Sequence, residues 1–350
     1  MATILASPVY TFDDVLLRPQ YSEVNSREEV DVSVEIVPGL KISAPIMSAN
    51  MQSVNSIELG VKLSKAGGMA TVDQFMSIEE EVKMIKAIKS KGGQIAGAIG
   101  SSRDYMERAE AIIDAGVDVV IMDSPHAHNL LAKNAIKDFR QKFGDSPLIV
   151  GNVATKEAAL FLVHHGVDGI KVGVGPGAAC TTRITTGSGA AQITAIMECF
   201  DVARNHGVSI IADGGVKTPG GFAKAIAAGG TAVYMGSIFA GTDEAPSKLV
   251  EINGVKYKEY YGSSSVTAKL KRAESDKSFR EKANRFVEGD SGYTKYQGSV
   301  ADLVEKYIMG LKSALSYTGA FNIKDFQTKS VFTIVTQNGL AENGAHGLIN

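Results

Sequence analysis

A chain of 350 residues with 44% hydrophobic and 21% charged side chains has the composition of a large folded protein with room for an extensive core. Its 36 Lys+Arg against 38 Asp+Glu leave a formal charge of −2, which argues against a dedicated nucleic-acid binder, a class that usually carries a basic footprint. Cys180 and Cys199 are its two cysteines, too few for a disulfide framework. No run reaches the roughly 20 apolar residues of a membrane span. The opening "MATILASPVYTFDDVLLRP" lacks the basic region of a signal peptide, so a reduced cytoplasm is the expected location. No CxxC or HExxH spacing points to zinc.

Along the chain, short apolar runs recur at even spacing: "APIMSAN" (44–50), "GMATVD" (68–73), "QIAGAIG" (94–100), "DVVIMD" (118–123), "PLIVGNV" (147–153), "GIKVGVG" (169–175), "VSIIADGG" (208–215) and "TAVYMGS" (231–237). They are continuous rather than alternating, as in parallel strands buried on both faces. Between them lie helical periods at 77–92, 105–117, 156–167, 193–208 and 220–230, several ending in glycine. Eight such units predict an α/β fold, a (β/α)8 TIM barrel occupying residues 1–350 as a single domain. An open doubly wound sheet is the alternative. The recurring turns "AGVD", "HGVD", "HGVS" and "AGGT" favour the closed repeat. After the eighth strand, residues 251–300 turn polar and lose apolar periodicity. They read as a mobile lid over the barrel mouth, or else as a disordered linker. A helix at 300–319 then returns to the barrel.

Active-site residues of such barrels lie in the loops after the strand C-termini. The sixth loop, "GVGPGAACTTR" (173–183), crowds three glycines, a proline and a cysteine. Bare glycines let backbone approach a ligand closely; a tight turn needing only positive φ is the plainer reading. Cys180 is the candidate nucleophile, while Cys199 lies on an apolar helical face and reads as core. The seventh and eighth loops supply "ADGG" and "MGS", a pair suited to phosphate. Asp213 is placed to accept from ribose hydroxyls, or only to cap a turn. Gly214, Gly215 and Gly236 offer amides, and Ser237 a hydroxyl.

Taken together, "TFDDVLLRP", "GVGPGAACTTR", "IIADGGV" and "YMGSIFAG" resemble the IMP dehydrogenase/GMP reductase family in order and spacing, over nearly the whole chain. The resemblance implies a barrel, usually tetrameric, that binds a purine nucleoside monophosphate and a nicotinamide cofactor, NADPH or NADH, without flavin. It implies that Cys180 attacks purine C2 to form a thioimidate, with Thr182 and Glu288 in the catalytic set. Met51, Asp213, Tyr260, Gly262, Ser263 and Gly289 would join the phosphate-loop residues around the nucleotide. Asp123, Ser124 and Asn152 would face the cofactor. Carbonyls of Gly175, Gly177 and Cys180, with Glu342 from a neighbouring copy, would hold a monovalent cation such as K+; a solvated terminal charge is the alternative for Glu342. Ala178 departs from the usual serine of the loop, which removes a hydroxyl from the phosphate site.

Within that family, the dehydrogenase oxidises IMP and hydrolyses the adduct to XMP, using an Arg-Tyr pair on the lid. Here "SDKSF" (275–279) places Lys277 and Ser278 at those positions. Ser264 in "YGSSS", the "SANM" stretch and the missing inserted regulatory domain also favour the reductase, which converts GMP to IMP and ammonia. "DSPHAHN" (123–129) and "NGLAENGAHG" (338–347) look more like the dehydrogenase. A flavin-dependent barrel oxidoreductase and a non-catalytic nucleotide-binding regulator are the other readings open at this point.

Overall fold

The computed structural model describes residues 3–275 and 287–343. Each apolar run forms a strand: β1 Ile46–Ser48, β2 Ala70–Val72, β3 Ile95–Ile99, β4 Val119–Asp123, β5 Leu148–Val153, β6 Gly169–Val172, β7 Ser209–Asp213 and β8 Ala232–Met235. These pair in parallel in sequence order from β2 to β8, and β8 pairs with β1. The ring closes through a bridge between Met47 and Met69, with the Ser48 N–H donating to the Met69 carbonyl at 3.0 Å. Burial on both faces explains why the runs are almost wholly apolar. One face of each strand meets the barrel interior and the other meets the helices.

Helices alternate with the strands: α1 Ile57–Lys65, α2 Ile78–Lys89, α3 Tyr105–Asp114, α4 Leu130–Phe143, α5 Lys156–His164, α6 Gln192–Ala203 and α7 Pro219–Ala227. Their starts are encoded locally. Ser77 and Glu80 form a reciprocal capping box at α2, and Thr218 caps α7 just ahead of Pro219. The recurring helix-to-strand turn stops each helix on a glycine; Gly166 of "HGVD" sits at φ 75, where a side chain would strain the backbone. The eighth helix, α8 Val300–Thr318, packs against α7 and α1 and so completes the outer ring. A hairpin, Val34–Val37 with Leu40–Ile42, reaches the N-terminal end of β7, where the Ser209 hydroxyl donates to the Ile36 carbonyl at 2.5 Å. That end is thereby covered, and the opposite mouth is left to the loops.

The polar stretch after β8 is regular where it is described. Leu249–Ile252, Val255–Tyr261 and Ser291–Lys295 form an antiparallel sheet, with a helix at Val266–Ser275. Buried Lys258 anchors it, donating to the carbonyls of Thr242 and Ala245 at 2.7 Å each. Lys277 and Ser278 lie outside the described residues.

Candidate active site

The strand C-termini and their loops surround one cavity of about 1050 Å³. The loop after β6 must run very close to β7. A Cβ on Gly173 would fall 2.1 Å from the Asp213 carbonyl oxygen, and one on Gly214, at φ 89, would fall 3.0 Å from the Gly177 nitrogen. Glycine is what allows two loops to share that space, so the run is more than a tight turn.

At the loop's end the exposed Cys180 thiol lies 3.2 Å from Thr182 Oγ1, which donates to Glu288 Oε2 at 2.8 Å. Glu288 arrives from the segment after β8, more than 100 residues later in sequence. Its place is set by main chain: Thr181 N–H donates to the Glu288 carbonyl at 3.1 Å, and Asp290 N–H to the Ala179 carbonyl at 2.9 Å. Cys180 and Gly289 thus form an antiparallel bridge. Gly262 packs beside this strip, where a Cβ would meet the Ala179 carbonyl at 3.1 Å. The arrangement is an exposed thiol hydrogen-bonded to a hydroxyl that is hydrogen-bonded to a carboxyl, a geometry able to move a proton away from sulfur.

Beside this loop, Gly214, Gly215, Gly236 and Ser237 line the cavity with little side chain. Tyr260 Oη approaches Met51 Sδ at 3.6 Å, and both crowd the position a Gly236 Cβ would take. Burial pushes the Tyr260 phenol well up, so it stays protonated at neutral pH. Ser263 and Ala178 line the same cavity.

The floor holds a group that sequence reading missed. Lys171 of β6, 2% exposed, donates to Asp123 Oδ1 at 2.7 Å and to Asp213 Oδ2 at 2.6 Å. It also donates to Asn152 Oδ1, while Asn152 Nδ2 donates to Asp213 Oδ2 at 2.8 Å. Asn50 Nδ2 takes the other oxygen of Asp123 at 2.9 Å. Burial alone would depress the Lys171 ammonium, but the Asp123 and Asp213 charges outweigh it and hold it protonated, above its ordinary range. The side chain of Asp213 is therefore an ion-pair partner. The available signal was one lysine in an otherwise apolar strand, "GIKVGVG".

Behind β2 a second buried group also escaped notice. Asp73 is 1% exposed, and burial lifts its carboxyl to about 7 against the opposing pull of Arg272. Arg272, from the helix Val266–Ser275, lies 3.3 Å from the Phe75 ring centroid, and both line the cavity. Asp123, Ser124 and Asn152 also line it, at the β4 and β5 ends.

Every site residue expected from sequence lines this cavity except Glu342. Glu342 is exposed just after the short helix Gln337–Ala341. Within one chain the proposed cation set is incomplete. The Gly177 carbonyl already accepts the Cys180 N–H at 3.0 Å, and the Arg183 side chain lies against Gly175. No cluster of three or more His, Cys, Asp or Glu side chains able to hold a metal occurs among the described residues.

A closed (β/α)8 barrel with an accessible thiol, a carboxylate floor and bare glycine loops at its strand C-termini has the form of a barrel enzyme. Comparison with known proteins narrows the class. The IMP dehydrogenase / GMP reductase domain family matches residues 9–346, and the chain belongs to that family of purine nucleotide oxidoreductases, which use a nicotinamide cofactor. An inosine-5'-monophosphate dehydrogenase of Cryptosporidium parvum is 35% identical over 382 residues, covering 96% of this chain and 94% of its own length. One from Methanocaldococcus jannaschii is 32% identical over 481 residues, covering 99% and 96%. A solved cysteine-to-alanine variant of Trypanosoma brucei GMP reductase in complex with guanosine 5'-monophosphate superposes with TM-score 0.92 at 27% identity, covering 98% of this chain and 99% of its own. The Cryptosporidium alignment spans 382 positions against 481 for the Methanocaldococcus one, so dehydrogenases differ widely in how much they insert relative to this chain. The missing insertion therefore does not by itself select the reductase.

Proposed function

We propose that this chain reduces GMP to IMP with release of ammonia, using NADPH. The observation that carries this reading is the Cys180–Thr182–Glu288 line, joined with Lys277 and Ser278 where a hydrolytic Arg-Tyr pair would stand. Cys180 adds to purine C2, and its proton passes by Thr182 and Glu288 to the departing 2-amino group. Ammonia leaves and a C2–S thioimidate remains. The nicotinamide, when bound, supplies the hydride that reaches C2; the C–S bond then breaks and the thiolate returns. Overall, GMP, NADPH and two protons give IMP, ammonium and NADP+. Asp213 holds the ribose, the glycine wall and Ser237 the phosphate, and Asp123, Ser124 and Asn152 the nicotinamide end. The working assembly is a tetramer, in which Glu342 of one copy serves the cysteine loop of the next.

A second reading is the IMP dehydrogenase reaction, favoured by the named relatives and by the tail "NGLAENGAHG". A paired assay separates them. GMP with NADPH should give cofactor oxidation matched by ammonia, and IMP with NAD+ should give no XMP. XMP formation in the second cuvette would overturn the reductase reading.

A further inference from the structure

Lys171 sits beneath the cavity floor with a 3% exposed side chain, while the two carboxylates it holds keep 22% (Asp123) and 21% (Asp213) of theirs open. The carboxylates come from β4 and β7, on either side of β6, and both line the cavity. One nearly buried ammonium at the cavity floor is therefore shared by two more open acceptors that ligands can touch. Asn152 ties the arrangement together, accepting from Lys171 and donating to Asp213. The Tyr234 ring closes the remaining side at 5.0 Å.

A shared charge cannot serve both acceptors equally once one of them is engaged. A ligand hydroxyl donating to Asp213 weakens that carboxylate's pull on the ammonium. The ammonium then gives more of its charge to Asp123, which becomes a poorer acceptor for a second ligand. At separations under 3 Å, with the ammonium itself shielded from bulk water, such rebalancing is felt at both carboxylates. We infer that Lys171 is a positioning residue that couples nucleotide binding at Asp213 to cofactor binding at Asp123, each weakening the other. Linkage makes the effect reciprocal. The inference rests on the ribose and nicotinamide placements above, but not on the direction of the reaction.

The test is calorimetry on full-length Cys180→Ala protein, in which no adduct forms and no turnover occurs. IMP is the titrant, because it is product of one candidate reaction and substrate of the other. Its Kd is measured alone and with saturating NADP+, then with NAD+. The same pair of values is measured in Cys180→Ala/Lys171→Met and in Cys180→Ala/Asp123→Asn. The readout is the ratio of the two Kd values within each protein. With NADP+ binding to each variant confirmed by its own titration, a general loosening of the nucleotide site enters both values and cancels, so a merely structural role leaves the ratio unchanged. Removing Lys171 should shift the ratio by at least about fivefold toward joint binding. Asp123→Asn keeps the side chain's size, removes the competing charge and should move the ratio the same way, which keeps the test alive if the methionine variant does not fold. A smaller shift in a folded variant overturns the coupling. Failure of the reductase reading would appear instead as absent GMP-dependent NADPH oxidation in wild-type protein, with the IMP titrations still interpretable.

Discussion

Cys199 lies on the buried face of α6 with no exposed surface, its thiol 3.6 Å from the Thr155 carbonyl, and burial pushes it up to about 12. Cys180, the same functional group, stands exposed at the cavity rim. Ellman's reagent at neutral pH should therefore find one reactive thiol per native chain and two after denaturation. Modification of Cys199 in the native protein would contradict its burial. At the same scale, Glu288→Gln keeps the contact with Thr182 but cannot shuttle a proton, so kcat should fall by about 10²- to 10⁴-fold. Calorimetry should show nucleotide affinity nearly retained. The cysteine, Thr182 and Glu288 were legible in sequence as members of a motif. Lys171 was not, because its meaning lies in partners 48 and 42 positions away on other strands.

Between elements, α8 and α7 touch where a Cβ on Gly310 would fall 2.6 Å from Pro219 Cβ. Gly310→Leu should push the returning helix off the ring and lower stability by about 1–3 kcal/mol, read as a drop in the urea midpoint. Under β2 and α2 the titration of two buried acids sets a pH dependence. Burial raises Asp73 to about 7, against Arg272, and Glu81 to about 8, against its ion pair with Arg108 at 2.6 Å. Asp73 Oδ2 has no hydrogen-bond partner among the described residues, which suits an uncharged carboxyl. Because both values are raised on folding, their contribution is complete below about pH 4, near the unfolded values, and is lost as pH climbs to between 7 and 8. Urea midpoints should therefore decline from pH 5 to pH 8, and Asp73→Asn should flatten that slope. A slope unchanged in the variant would remove Asp73 from the account. The strands and most helices were legible in sequence, because continuous apolar runs and capping residues are local signals. The antiparallel sheet after β8 was hidden, since its strands Val255–Tyr261 and Ser291–Lys295 are mostly polar and half exposed.

For the whole molecule, the ring brings eight loops to one mouth, and residues more than 100 positions apart in sequence meet there. Light scattering at working concentration should give four copies per particle, and Glu342→Gln should weaken activation by K+ without altering the single-chain fold. A fully active monomer would sink that assembly. The sequence by itself determined the eight strands, the glycine loop and its thiol, because each depends on residues close along the chain. Only the tertiary structure decided that the sheet closes, that Glu288 lies behind Cys180, and that Lys171 joins Asp123 to Asp213. Parallel strands take their neighbours from distant parts of the chain, so burial, ion pairing and charge sharing are set by packing across the barrel rather than by spacing along it.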